Sequence, residues 1–320
     1  MTSQHEHELR FDGIVAIVTG AGRGIGRAHA HALAARGAKV VVNDLGGTLS
    51  GGGSDPGPAA AVADEIVAAG GEAVASSADV TTESGADSIV AAALEHYGAV
   101  DVVVNNAGNL AVDEMPSLGL DQLVKHLDIH VLGSFNVTRA AWAKMSEQGY
   151  GRVIMTASVG FFGGPFLISY STAKGGVVSL GRSLAIAGVE HGIKVNLLAP
   201  SADTRMVTDS ELRSRSNLPP LDGSAEANPQ RRPEQVAPMM LVLAHESCPV
   251  NGEILEAGIG RFARIFLAET RGVVDSNLGP EGILERWAEI VDETGYTVHA
   301  STRDAVTFRE ELILAAERSP

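Results

Sequence analysis

The chain has 320 residues, with 24 Lys+Arg against 39 Asp+Glu, so its formal charge is −15 with His neutral. Hydrophobic residues make up 45% and charged residues 20%, which excludes a disordered chain, and the length suits one large α/β domain. The acidity, and the absence of any basic run beyond the pair Arg231-Arg232, exclude nucleic acid as an expected partner. A single cysteine, Cys248, forbids an internal disulfide and suits a reducing compartment. No stretch approaches about 18 uninterrupted apolar residues, so no membrane span is expected. The first twelve residues lack an apolar core, and Arg318-Ser319-Pro320 is no peroxisomal address. The expected location is the cytoplasm.

In chain order, Ile14-Val15-Ala16-Ile17-Val18 is a fully apolar run of strand length, followed by a Gly-rich turn and a helical stretch to about Gly37. Residues 38–43 form a second buried-strand run. Further strands are predicted at 72–77, 100–105, 151–157, 193–198 and 253–257, and helices at 58–69, 83–97, 120–148, 169–191 and 233–245. Strands without polar alternation, separated by helices, predict an α/β fold with a doubly wound parallel sheet. Along 120–148, Leu120, Leu123, Val124, Leu127, Val131, Trp142 and Met145 keep the helical period, which reads as core or subunit contact.

Two stretches break the rhythm. Residues 46–57 are a Gly/Ser/Pro loop, expected to be mobile, and 205–232 are polar with paired prolines at 219–220, read as a loop or a lid. Beyond Gly260, 60 residues with 7 Arg, no Lys and 11 acids predict helices at 280–294 and 301–316. This 261–320 extension is expected to pack on the 1–260 domain or on its dimer partner. No metal-spaced Cys/His cluster is found, and His5 and His7 read as solvated.

The first strand runs into Thr19-Gly20-Ala21-Gly22-Arg23-Gly24-Ile25-Gly26. Glycine permits the tight turn and close approach of backbone to a pyrophosphate, and the helix that follows presents free N–H groups. Strand two ends in Asn43-Asp44, 18 residues past Gly26. A carboxylate there can accept both hydrogen bonds of a ribose diol and repel a 2′-phosphate, which favours NAD over NADP despite Arg23. Asp79 and Val80, after strand three, are placed to touch adenine.

Strand four ends in Asn105-Asn106-Ala107-Gly108, strand five in Thr156-Ala157-Ser158, and the next helix carries Tyr170-Ser171-Thr172-Ala173-Lys174. The i, i+4 spacing sets phenol and ammonium on one helix face. A free Tyr titrates near 10; an adjacent ammonium and the positive nicotinamide ring are expected to lower that value and make the phenolate a usable base. Ser158 can hold the substrate oxygen.

With these motifs the chain resembles the short-chain dehydrogenase/reductase superfamily, over residues 10–258. The resemblance implies a Rossmann-type sheet of about seven strands with a helical C-terminal extension. It implies hydride transfer between a nicotinamide and a carbon bearing a hydroxyl or carbonyl. It assigns Tyr170 as acid/base, Lys174 to the nicotinamide ribose and the phenol, and Ser158 to substrate orientation. Gly20, Arg23, Gly24, Ile25, Gly26, Asp44, Asp79, Val80, Asn106, Ala107, Gly108, Pro200 and Thr204 fall to the cofactor, with Tyr170 and Lys174. His130 stands where many members have Asn in a proton relay; imidazole can also donate and accept.

LRFDG at 9–13, VVVNDLGG at 40–47, HVLGSF at 130–135, APSADTRM at 199–206 and AHESC at 244–248 resemble a narrower branch, the (3R)-hydroxyacyl-CoA dehydrogenase units of the type-two peroxisomal multifunctional enzymes, a group that also carries 17β-hydroxysteroid dehydrogenase type four as a name. That branch implies NAD and an acyl-CoA or steroid substrate. The rivals are a hydroxysteroid dehydrogenase, a 3-oxoacyl carrier-protein reductase using NADPH, and a non-catalytic dinucleotide-binding scaffold. Ser158 precedes Tyr170 by 12 residues where the superfamily usually has 13, so loop 159–169 differs. Phe161, Phe162, Pro165 and Phe166 make it apolar, which suits an acyl chain or a sterol. Arg205, Arg213, Arg215, Arg231 and Arg232 are candidates for CoA phosphates. The resemblance also implies a homodimer or homotetramer, with helices 120–148 and 169–191 at an interface.

Overall fold

Runs of β-branched residues become strands buried on both faces. In a computed structural model, which describes residues 8–208, 214 and 229–318, β1 is Val15–Thr19, β2 Lys39–Asn43, β3 Glu72–Ser76, β4 Val102–Asn105, β5 Gly151–Thr156, β6 Ile193–Ser201 and β7 Ile254–Gly258. Every residue of β1 and β4 is buried, as a central parallel strand requires. The order is β3-β2-β1-β4-β5-β6-β7-β8. Registers are parallel from β3 through β7, for example Ile17 against Val41 on one side and Val103 on the other. Strand order reverses between β1 and β4, which opens a crevice at their carboxyl ends.

Helices α1 (Gly24–Ala34), α2 (Gly57–Ala68) and α3 (Glu83–Tyr97) connect the first half. Thr82 caps α3 through the Gly85 amide, and Gly98 closes it in the left-handed conformation. Further on come α4 (Leu120–Leu127), α5 (Gly133–Gln148), α6 (Ile168–Ala187) and α7 (Ala237–Ala244). One core joins Phe11, Leu33, Val40, Ile66, Val104, Ile154, Leu198 and Met240.

Two expectations are corrected. The sheet has eight strands, because β8 (Arg261–Ile265) adds to the edge beside β7. Ile259 and Gly260, at φ 55° and 72°, make a two-residue turn of the kind that joins antiparallel neighbours. The turn and the alternation in Arg-Phe-Ala-Arg-Ile are visible in the sequence once paired. The single helix expected over 120–148 is interrupted by a π-helical turn at Asp128–Leu132, which lets the Gly133 amide reach the Asp128 carbonyl. The stripe read there as core or contact divides. Met145 is fully buried, whereas Leu120 is 74% exposed.

The chain forms two compact units, Met1–Arg264 and Ile265–Pro320. In the second, Glu269 pairs with Thr297 through the backbone and receives two hydrogen bonds from Arg309. Its helices are α8 (Pro280–Glu285), α9 (Trp287–Ile290) and α10 (Thr302–Glu317), the last capped by Ser301. No helix among the described residues is long and apolar enough to cross a membrane.

His29 on α1 is fully buried with no hydrogen-bond partner on either ring nitrogen, and burial drives its pKa from 6.5 to about 3. Between those values the unfolded chain takes up a proton that the folded chain refuses. Stability is therefore intact above pH 6.5 and falls by about 1.4 kcal/mol per pH unit below it. In His29→Met the slope from this residue disappears. Chemical denaturation should show the variant gaining about 2 kcal/mol on the wild type between pH 7.5 and pH 5. A constant difference across that range would reject the assignment.

Candidate active site

The carboxyl ends of the strands enclose a cavity of about 720 Å3, and all the residues assigned above to catalysis and cofactor line it, from Gly20 to Thr204. They come from the ends of β1, β2, β4, β5 and β6, the loop after β3, the π turn and α6. Parallel winding accounts for the convergence, since it brings all these carboxyl ends to one side.

The Gly-rich turn is held by its neighbours. Thr19 Oγ1 accepts the amides of Asn106 and Ala107, each at 3.0 Å, and Asn106 Nδ2 donates to the carbonyls of Thr19 and Gly20, also at 3.0 Å. The switch point is thus tied shut at its base. A Cβ on Gly26 would lie 2.2 Å from the Gly20 carbonyl oxygen, so only glycine lets the helix start this close. No side chain caps the N-terminus of α1. That uncapped end, with its backbone exposed to the cavity, fits a pyrophosphate.

Asp44 is more engaged than its spacing shows. Its Oδ2 accepts the Gly22 amide at 2.8 Å, and its Oδ1 the Gly46 amide at 2.7 Å. Two lone pairs are used in fastening β2 to the turn; a carboxylate has about four acceptor sites, so a ribose diol fits the rest. Asp79 is turned by Thr81, whose amide and hydroxyl donate to its Oδ1 at 2.9 and 2.8 Å.

In the same cavity the half-buried Tyr170 has its phenol hydrogen-bonded with Ser158. Burial pushes the phenol above its ordinary 10, and the Ser158 bond opposes this. Lys174 Nζ lies 5.6 Å from the ring centre and donates to the Thr156 carbonyl at 2.6 Å. Burial in turn drives Lys174 down to about 7, so its charge is not a fixed counter-ion at neutral pH.

His130 is 2% exposed and stands edge-on to Tyr170, ring centres 5.4 Å apart. Its Nε2 donates to the Asn109 carbonyl at 2.9 Å, while Nδ1 has no partner. Burial and then the Lys174 charge hold it well below the usual imidazole range, so it is neutral. A Cβ at Gly108 would meet His130 Cε1 at 2.6 Å. The absent side chain there is what admits the ring.

Three features escape the sequence reading. His126, fully buried, stacks on His130 at 6.1 Å and meets Tyr170 edge-on at 6.5 Å. Its Nδ1 donates to the Gln122 carbonyl at 2.9 Å and its Nε2 accepts the Ala111 amide at 3.3 Å. Its position one turn before His130 is the signal that could have found it. Asp113 reaches the start of α6 with no signal in its spacing. The loop 46–57 meets the loop after β4, where the Leu110 amide donates to the Leu49 carbonyl at 3.1 Å, and its Gly47, Thr48, Leu49 and Gly51 line the cavity.

The loop between Ser158 and Tyr170 is corrected. None of Phe161, Phe162, Pro165 and Phe166 lines the cavity; Val159 and Leu167 do, and Phe162 is 67% exposed. Of the arginines, Arg205 and Arg231 line it, and Arg231 Nε donates to Asp203 at 2.8 Å. Arg232 does not line it. Arg213, Arg215, the paired prolines, His5 and His7 lie outside the described residues.

A crevice at the strand-order reversal, floored by a Gly-rich turn and flanked by Ser, Tyr and Lys, defines a class of dinucleotide-dependent oxidoreductases. The chain belongs to the short chain dehydrogenase family, whose match spans residues 14–214. It is accordingly an oxidoreductase using NAD or NADP. It is similar to the mouse peroxisomal multifunctional enzyme type 2, at 41% identity over 289 residues, 89% of this chain and 37% of that protein. It therefore spans little more than a third of that relative's length. A short-chain type dehydrogenase/reductase of Mycobacterium tuberculosis is 40% identical over 88% of this chain and 95% of its own. The crystal structure of a short chain dehydrogenase from Mycobacterium avium superposes with a TM-score of 0.73 at 33% identity, covering 88% of this chain and 95% of that one.

Proposed function

We propose that this protein oxidises a secondary alcohol, a (3R)-3-hydroxyacyl-CoA, to the 3-oxoacyl-CoA with NAD. The observation that carries the reading is Tyr170, hydrogen-bonded with Ser158 and flanked by Lys174 and His130, lining the same cavity as Asp44 and the Gly-rich turn. Similarity to the mouse multifunctional enzyme supports the substrate class.

A bound oxidised nicotinamide supplies the hydride acceptor and a positive charge. Tyr170, as phenolate, takes the substrate hydroxyl proton, and Ser158 holds the same oxygen. Lys174, near 7, is suited to pass that proton on, and the open Nδ1 of neutral His130, whose ring stands against Tyr170, is a further acceptor. Asp44 selects NAD by repelling a 2′-phosphate. Gly20, Arg23, Gly24, Ile25 and Gly26 would hold the pyrophosphate, Asp79 and Val80 the adenine, and Asn106, Ala107, Gly108, Pro200 and Thr204 the remainder. Val159 and Leu167 offer the substrate an apolar wall.

Exposed Leu132 and Phe135 near the start of α5, and Ile186 at the end of α6, support a homodimer or homotetramer. The buried free thiol of Cys248 suits the cytoplasm. Residues 1–264 are read as the dehydrogenase domain and 265–320 as its extension, a boundary four residues later than the sequence expectation because β8 belongs to the main sheet.

The test is NAD+ reduction over a panel of 3-hydroxyacyl-CoA thioesters, both enantiomers, and 17β-hydroxysteroids. Turnover of the (3R) thioesters is expected. Activity confined to steroids, or tight NADPH binding with indifference to NADH, would overturn the assignment.

A further inference from the structure

Helix α6 carries both Tyr170 and Lys174, yet its own sequence does not cap it. Its N-cap position is Leu167, with no side-chain hydrogen bond to the first turn. An uncapped helix start leaves amides unsatisfied and frays. Here the start is buried: Ser169 is 0% exposed.

The missing acceptor comes from 55 residues upstream. Asp113, 4% exposed in the loop after β4, accepts the Ile168 amide on Oδ1 at 2.6 Å and the Ser169 amide on Oδ2 at 2.9 Å. Ser169 Oγ donates to the same Oδ2. The Asp113 amide returns a bond to the Phe166 carbonyl at 3.1 Å. A carboxylate at this end is also favoured by the helix dipole. Gln122 Nε2 donates to the Val112 carbonyl at 3.3 Å, and the Gln122 carbonyl accepts from His126.

The loop so anchored is the one that begins with Asn106-Ala107-Gly108 and holds His130 through Asn109. We propose that Asp113 is a positioning residue, a remote N-cap that sets Tyr170 against the loop carrying Asn106, Gly108 and Asn109. The next residue after the two it binds is Tyr170 itself. A displacement of about 1 Å at the phenol is enough to slow a proton transfer about 100-fold. This inference rests on the role given to Tyr170 above.

The test compares Asp113→Ala and Asp113→Asn in the full chain, with Ser169→Ala as a milder probe that keeps both backbone donors. Steady-state kinetics, NAD+ titration and amide hydrogen exchange over residues 167–172 are measured together. Asp113→Ala should lower kcat about 100-fold, leave NAD+ affinity within about twofold, and expose the 168–170 amides to faster exchange. Asp113→Asn, which keeps one acceptor oxygen, should recover to within about tenfold of the wild type. If kcat and NAD+ affinity fall together with melting temperature, and Asn does no better than Ala, Asp113 is merely structural and the proposal is wrong. Unchanged exchange at 168–170 overturns it too. A wild type that turns over nothing, with Tyr170→Phe identical to it, instead defeats the role of Tyr170; the exchange measurement still reads the cap.

Discussion

Replacing Tyr170 by Phe is expected to lower kcat by about 10² to 10⁴-fold, the range for loss of a positioned acid/base, while NAD+ affinity stays within a few-fold. The substitution removes one oxygen and keeps the ring that packs on His130 and His126. It also removes the bond to Ser158. The wild type should show a directional pH dependence. Burial holds the phenol above its ordinary value, so the phenolate needed for alcohol oxidation is scarce at pH 7 and grows as pH rises. Oxidation should therefore accelerate with pH, while ketone reduction, which uses the protonated phenol, should be faster at neutral pH than in base. Stopped-flow traces of NADH formation and consumption from pH 6 to 10 decide this. An oxidation rate independent of pH in the wild type, or a Phe variant that retains most of its activity, would remove Tyr170 from the chemistry.

The second large effect concerns cofactor choice. Asp44→Asn should lower the preference for NAD over NADP about 100-fold, measured as the ratio of kcat/KM values. Two like charges about 4 Å apart at an effective dielectric near 20 repel by about 4 kcal/mol. Screening reduces this, and about 1.4 kcal/mol corresponds to each tenfold change. Asn is chosen over Ala because Asp44 also fastens the Gly22 and Gly46 amides, and an amide oxygen can keep one of those bonds. Melting temperature tells the two roles apart. A variant that melts like the wild type yet still rejects NADP would show that the carboxylate does not set the choice.

Much of this site is legible in the sequence because its parts are local. A strand followed by Gly20 to Gly26, an acid at the end of the next strand, and Tyr170 four residues before Lys174 are each set by spacing along one element. Asp113 and His126 are a different kind of feature. Asp113 acts on a helix 55 residues away, and no period or motif links the two. His126 was visible on the face of His130, but its burial depends on the loop around Ala111. Spacing places an ammonium near the phenol, but the burial that acts on both groups and the bond from Lys174 to the Thr156 carbonyl come only from the fold.

The amino-acid order alone determined the α/β class, the parallel winding, the dinucleotide-binding turn and the trio Ser158, Tyr170 and Lys174, because hydrophobic period and glycine placement act over a few residues. Tertiary structure decided the eighth strand, the π turn that carries His130, the fastening of Asp44 and the remote cap on α6. Those depend on which segments pack together and which groups lose their water, and desolvation belongs to the fold and not to any short stretch of chain.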